Sequence, residues 1–155
     1  MMDELRELYQ EVILDHGKAP RNFHDIEDAT AHAHGANPLC GDQLVVYLKI
    51  DDDKRIEDVS FVGKGCAISV ASASMMTELV KGRTVDEAEE MFRRFHEMCT
   101  GDDEGGGSKL LEDDLEKLNV LSGVRAFPVR VKCATLPWHT LHAAIEGKEE
   151  ISTEA

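Results

Sequence analysis

Apolar and polar positions recur along this chain with two different periods, and the change from one to the other marks out the elements. Leu5, Leu8, Tyr9, Val12 and Ile13 fall at helical spacing, which predicts an amphipathic helix closed by Gly17 and Pro20. An irregular stretch, "RNFHDIEDATAHAHGANP", follows, with a short extended piece expected around 31–34. Over 43–50 the period drops to two, and Leu44, Val46, Leu48 and Ile50 share one face of a strand. "DDDK" is a polar turn, and 55–62 reads as the hairpin partner, with Val59 and Phe61 on one face. Ile56 is out of phase with them, so the pattern leaves the start of that strand open.

The helical period then returns. "CAISVASASMMTELVKG" predicts a helix ended by Gly82, whose small side chains allow a neighbour to approach closely. Met75 and Met76 read as core filler in it rather than as ligands. "TVDE" is a capping box, with Thr84 as N-cap and Glu87 three residues on. The helix it opens carries Ala88, Met91, Phe92, Phe95 and Cys99 on one stripe. "GDDEGGGS" is a linker too short to separate domains, and Leu111, Leu115 and Leu118 mark a further short helix. The last segment, "VRAFPVRVKCATLPWHTLHAAIEG", ends in a helix closed by Gly147. Proline costs about 3 kcal/mol inside a helix and is tolerated in its first turn. Pro137 therefore predicts a helix start near 133–136, with Cys133 at or near the N-terminal end.

Composition narrows the classes. A chain of 155 residues suggests one domain, 1–155, able to bury a core without disulfide staples. Acidic residues outnumber basic ones by 31 to 17, a net charge of −14, which argues against nucleic acid as a partner. Such a surface suits solubility or docking to a basic patch, and a merely solvated surface explains it equally well. No apolar run approaches the roughly 20 residues that span a bilayer, and "MMDELRELYQ" resembles neither a signal nor a transit peptide. The expected location is the cytoplasm, where four cysteines point to metal or catalytic chemistry before disulfides.

Three of those cysteines sit at element edges. Cys40 lies in a loop before a strand, Cys66 follows "GKG" at a helix start, and Cys133 follows Lys132 near another predicted helix start. A helix N-terminus favours thiolate over thiol, and bound zinc would deprotonate a cysteine outright. Cys99, on the apolar stripe beside Phe92 and Phe95, reads as a buried inert thiol. Three thiolates and the Asp42 carboxylate would make a tetrahedral zinc set, with Cys40 and Asp42 supplying a two-residue bite. Spacing alone does not decide this, because there is no C-x-x-C pair and C-x-D is common by chance. His32 with His34 and His139 with His142 are rival ligand pairs, and His16, His24 and His96 are isolated. The chain has no Walker A loop, no G-x-S-x-G elbow and no H-E-x-x-H.

"NPLCGDQL", "GKGCAISVASASMMTELVKG" and "FPVRVKCATLPWHTL" together resemble the SufU-type branch of the IscU/NifU-like iron–sulfur cluster assembly proteins. The likeness runs from "LYQEVILDHGKAPRNF" to the last helix. It implies an α+β fold, a compact single-domain sandwich in which a small, mostly antiparallel sheet of about three strands is covered by helices. It implies zinc held by Cys40, Asp42, Cys66 and Cys133, and a pyridoxal-phosphate cysteine desulfurase of the SufS kind as partner, with Cys40 accepting its persulfide sulfur. A downstream iron–sulfur assembly scaffold would receive the sulfur. Lys132 stands where IscU-type scaffolds carry histidine, and the 67 positions between Cys66 and Cys133 leave room for the SufU-type insertion, expected around 93–108. The resemblance further implies that a partner histidine displaces Cys40 from zinc, which frees a thiolate to attack the persulfide, with Gly41 as the joint. Arg130 and Lys132 would keep the local field positive, unless they are simply a surface basic pair. Two rivals stand beside this: a scaffold carrying a transient iron–sulfur cluster on the same thiolates, and a zinc-stabilised adaptor that only activates the desulfurase.

Overall fold

The computed structural model describes residues 11, 13–37, 41–100, 128–147 and 150–152. A helical segment over 13–18 leads into β1 (Ala31–Asn37), β2 (Asp42–Ile50) and β3 (Ile56–Lys64). Then come α1 (Ala67–Val80), α2 (Val85–Thr100), α3 (Pro128–Ile145) and β4 (Glu150–Ser152). The sheet order is β3-β2-β1-β4, antiparallel except for the short β4, which runs parallel to β1. The expected α+β architecture is therefore present, with three antiparallel strands and a brief fourth at the edge. Among the described residues, no helix is long and apolar enough to cross a membrane.

The helices cover one face of the sheet. Val46, Leu48, Val59 and Phe61 point inward from β2 and β3, the alternation expected of a sheet with one buried face. They meet Met76 and Val80 of α1 and Leu136, Trp138 and Leu141 of α3, all fully or almost fully buried. The small residues of α1 do what their size predicts: Ala71, Ser72, Ala73 and Ser74 are all buried. There Ser72 Oγ donates to the Ala134 carbonyl at 2.5 Å, which ties α1 to α3. α2 adds Ala88, Met91 and Phe95 to the same core. Its capping box forms as read: Glu87 N–H donates to Thr84 Oγ1, and Thr84 N–H to Glu87 Oε1, each at 3.2 Å.

Three details differ from expectation. Ile56 is fully buried although out of phase with Val59 and Phe61, because the β2–β3 register shifts between Lys49 and Ile50. The bulge places one extra residue on β3 and turns Ile56 inward. The second concerns Pro137, which lies inside α3 and not in its first turn. The helix opens at Pro128, which fills the first-turn place that suits proline, and tertiary packing carries the interior Pro137. The third follows: Cys133 is the sixth residue of α3 and not at its N-terminal end. The dipole effect fades within the first turn, so of the two thiols only Cys66 keeps that help. The positions 5, 8, 9 and 12 of the first helix, the leucines at 111, 115 and 118, and the 101–108 part of the expected insertion lie outside the described residues.

Candidate metal centre

Asp42, Cys66 and Cys133 come from three different elements and meet at one end of the sheet. Asp42 opens β2, across from Asn37 at the end of β1. Cys66 is the N-cap of α1, directly after β3, with an extended backbone and no side-chain capping bond. Cys133 projects from the second turn of α3. Their ligand atoms, one carboxylate oxygen and two sulfurs, all lie within 4.8 Å of one another. Asp42 and Cys133 are buried, and Cys66 is half-buried.

Local chemistry holds this geometry. Asp42 Oδ1 accepts the Cys66 backbone N–H at 2.8 Å, and Oδ2 lies 4.0 Å from Cys66 Sγ. The strand thus grips the helix N-terminus through a charge-assisted bond. Gly65 makes the approach possible: a Cβ there would collide with Asp42 Oδ1 and Ser69 Oγ. Ser69 in turn donates to the Cys66 carbonyl at 3.1 Å, and its Oγ lies 3.8 Å from Cys66 Sγ. Asn37, fully buried, reaches both other ligands: Nδ2 is 3.4 Å from Asp42 Oδ2 and 3.5 Å from Cys133 Sγ.

Of the residues expected at the site, these three are brought together. Cys40 lies outside the described residues. Gly41 is exposed with φ of +71°, and among the described residues no atom lies within 4 Å of where a Cβ would stand, so glycine serves the backbone conformation there. Arg130 is exposed and Lys132 half-buried, both in the opening turns of α3 just before Cys133. The side chain of Cys99 is outside the described set, as are residues 38–40.

The rival histidines go elsewhere. His32 and His34 project from the exposed face of β1, ring centroids 6.0 Å apart. His139 and His142 pack with Phe92 between α2 and α3, and burial, with His96 and His142 beside it, lowers the His139 pKa to about 4. Among the described residues, no other group of three His, Cys, Asp or Glu converges as Asp42, Cys66 and Cys133 do. Sequence reasoning missed Asn37, Ser69 and Gly65. Asn37 falls at the end of the stretch that reads as irregular, yet it continues the inward parity of Ala33 and Gly35.

The family model for the NifU-like N-terminal domain matches residues 8–134. The zinc-dependent sulfurtransferase SufU of Bacillus subtilis is 42% identical over 145 residues, covering 92% of each chain. The iron–sulfur cluster assembly scaffold protein IscU of Streptococcus pyogenes is 41% identical over 145 residues, covering 94% of this chain and 87% of that one. A crystal structure from Fervidobacterium islandicum, described as a candidate iron–sulfur cluster assembly scaffold for the SUF system, superposes with a TM-score of 0.79 at 38% identity, covering 87% of this chain and 94% of that one.

Proposed function

The chain belongs to the NifU-like N-terminal domain family, and from that premise we propose that it is a zinc-dependent sulfur acceptor for iron–sulfur cluster assembly. In this reading it works in the cytoplasm, takes persulfide sulfur from a pyridoxal-phosphate cysteine desulfurase, and hands it to a downstream scaffold. The observation that carries the proposal is the convergence of one carboxylate and two thiols within 4.8 Å, two positions after a further cysteine in the chain. That donor set fits a borderline-soft divalent ion with a fourth place to fill, which is the preference of zinc. Two thiolates and a carboxylate crowded together and largely buried would repel one another without a cation.

Each residue then has a task. Asp42, Cys66 and Cys133 hold the ion, anchored in β2, at the α1 N-terminus and in α3. Bound zinc would keep its cysteine ligands deprotonated at neutral pH. Cys40 is the ligand that leaves the ion, separated in sequence from anchored Asp42 only by exposed Gly41. Its thiolate attacks the outer sulfur of the desulfurase persulfide. A new S–S bond forms on Cys40, the old one breaks, and the desulfurase cysteine leaves as thiolate. Arg130 and Lys132 favour the approach of the anionic persulfide. The segment around 93–108 is the family-specific insertion in a single domain over 1–155.

Cys40→Ala tests the assignment. The variant should still bind zinc through the other three ligands and still bind desulfurase, yet accept no sulfur. Undiminished sulfur acceptance would refute it. The IscU name of the Streptococcus relative supports a second reading, a scaffold that builds a cluster on the same thiolates. Visible absorbance after anaerobic loading with iron and sulfide, followed by transfer to an apo protein, would favour that reading.

A further inference from the structure

Asn37, the first residue of "NPLCGDQL", touches two of the three gathered ligands. It is fully buried at the last position of β1, paired across the hairpin with Asp42. Its Nδ2 faces Asp42 Oδ2 at 3.4 Å and Cys133 Sγ at 3.5 Å, while its Oδ1 is buried with no partner among the described residues. A buried amide oxygen left unpaired is costly. The opposite orientation of the amide would turn that oxygen toward the carboxylate, acceptor against acceptor. The amide thus gives up one hydrogen bond so that its two N–H groups can serve two anions. That arrangement suits two side chains held together as ligands of one ion.

We propose that Asn37 is a positioning residue: its amide holds Asp42 and Cys133 in place as ligands and draws electron density from the Cys133 sulfur. An N–H···S bond withdraws electron density from a thiolate. Cys66 lacks this amide. Its carbonyl and sulfur face Ser69, a neutral hydroxyl, and it is more accessible than Cys133. The metal centre would then be graded by its surroundings, with one thiolate held by a buried amide and the others less constrained. The inference rests on the proposed zinc site but not on sulfur transfer, and its test uses the metal alone.

The test compares Asn37→Ala with Asn37→Asp in the full-length chain. Zinc affinity is read by competition with a chromophoric chelator, and cobalt(II)-loaded protein supplies a thiolate-to-metal charge-transfer band. The expected loss is about 10- to 100-fold in zinc affinity for Asn37→Ala, the usual effect of removing a group that orients a ligand. Asn37→Asp keeps the shape but replaces the donor with an anion, so it should bind zinc more weakly still. The cobalt band of Asn37→Ala should move to lower energy, because an undamped thiolate gives up charge more readily. If Asn37 only fills space, Asn37→Asp will bind zinc better than Asn37→Ala and the band will stay put, which overturns the proposal. Should Asn37→Asp fail to fold, the cobalt band of Asn37→Ala decides alone: a shift sustains the proposal and an unmoved band ends it. A protein that binds zinc as expected but never accepts sulfur would sink the proposed function and leave this inference standing.

Discussion

At the end of the β1–β2 hairpin, Asp42, Cys66 and Cys133 bring their ligand atoms within 4.8 Å of one another, whereas His96, His139 and His142 gather around Phe92 between α2 and α3 without doing so. Both regions are rich in groups that bind metals. They differ in where the lone pairs go. His142 Nδ1 lies 2.6 Å from Glu89 Oε2, and its Nε2 lies 3.2 Å from Glu146, so both ring nitrogens already face carboxylates. His139 stacks edge-on against Phe92 with centroids 4.9 Å apart, and its role there is packing. At the hairpin end, by contrast, the Cys66 N–H and the Asn37 amide each approach one Asp42 oxygen, and a carboxylate oxygen keeps a further lone pair for an ion. A cluster of ligand-type residues becomes a site when the surrounding bonds orient the ligands and do not consume them.

Removing metal should separate the two regions most sharply. A ligand at a thousandfold excess over its Kd adds about 4 kcal/mol to stability. For a domain of this size that corresponds to roughly 10 °C in Tm. Calorimetry of zinc-loaded protein with and without chelator should show a fall of that order, and Asp42→Ala should show little further response to the chelator. An unchanged Tm in the loaded wild type would dissolve the distinction between the clusters.

Gly65→Ala is expected next in size. Its new Cβ would strike Asp42 Oδ1 and Ser69 Oγ, so the β3–α1 turn has to shift. Overpacking of this kind costs about 1–3 kcal/mol. Denaturant unfolding should show that loss, and chelator competition should show weaker zinc binding. Full zinc affinity in a destabilised Gly65→Ala would mean that the turn supports the fold but not the site.

The smallest effect belongs to the histidine region. The unfolded chain protonates His139 near the ordinary 6.5, while burial and the neighbouring His96 and His142 lower the folded value to about 4. The unfolded state therefore holds more protons between those pH values, and stability falls as pH drops from 6.5 toward 4. Partial exposure reduces the contribution to on the order of 1 kcal/mol. His139→Gln should flatten the acid limb of a Tm–pH curve over that window without changing zinc content at pH 7. An identical acid limb would contradict the burial assigned to His139.

Much of this was legible in the chain. The capping box at Thr84 and Glu87, the small-residue helix over α1 and the β2 alternation followed from local chemistry, which dictates local structure directly. Asp42, Cys66 and Cys133 were legible as ligand types at element edges, though only family resemblance joined them across the chain. What was hidden depended on tertiary context. Pro137 marks no helix start because Pro128 already fills that place and the core carries the interior proline. Ile56 is inward through a bulge that no periodicity encodes. β4 is three residues long and pairs with β1 from the far end of the chain, too short to leave a pattern. Asn37 lies at the end of a stretch without periodicity, where no pattern marks it as the last inward residue of a strand.

The central claim is a division of labour: Cys40 takes sulfur while Asp42, Cys66 and Cys133 hold the ion. Its most direct test is to incubate zinc-loaded protein with cysteine desulfurase and cysteine, trap the thiols, and map added sulfur on each of the four cysteines by mass spectrometry. The account predicts sulfur on Cys40 and none on Cys66, Cys99 or Cys133. Sulfur on Cys66 or Cys133 with Cys40 unmodified would contradict it.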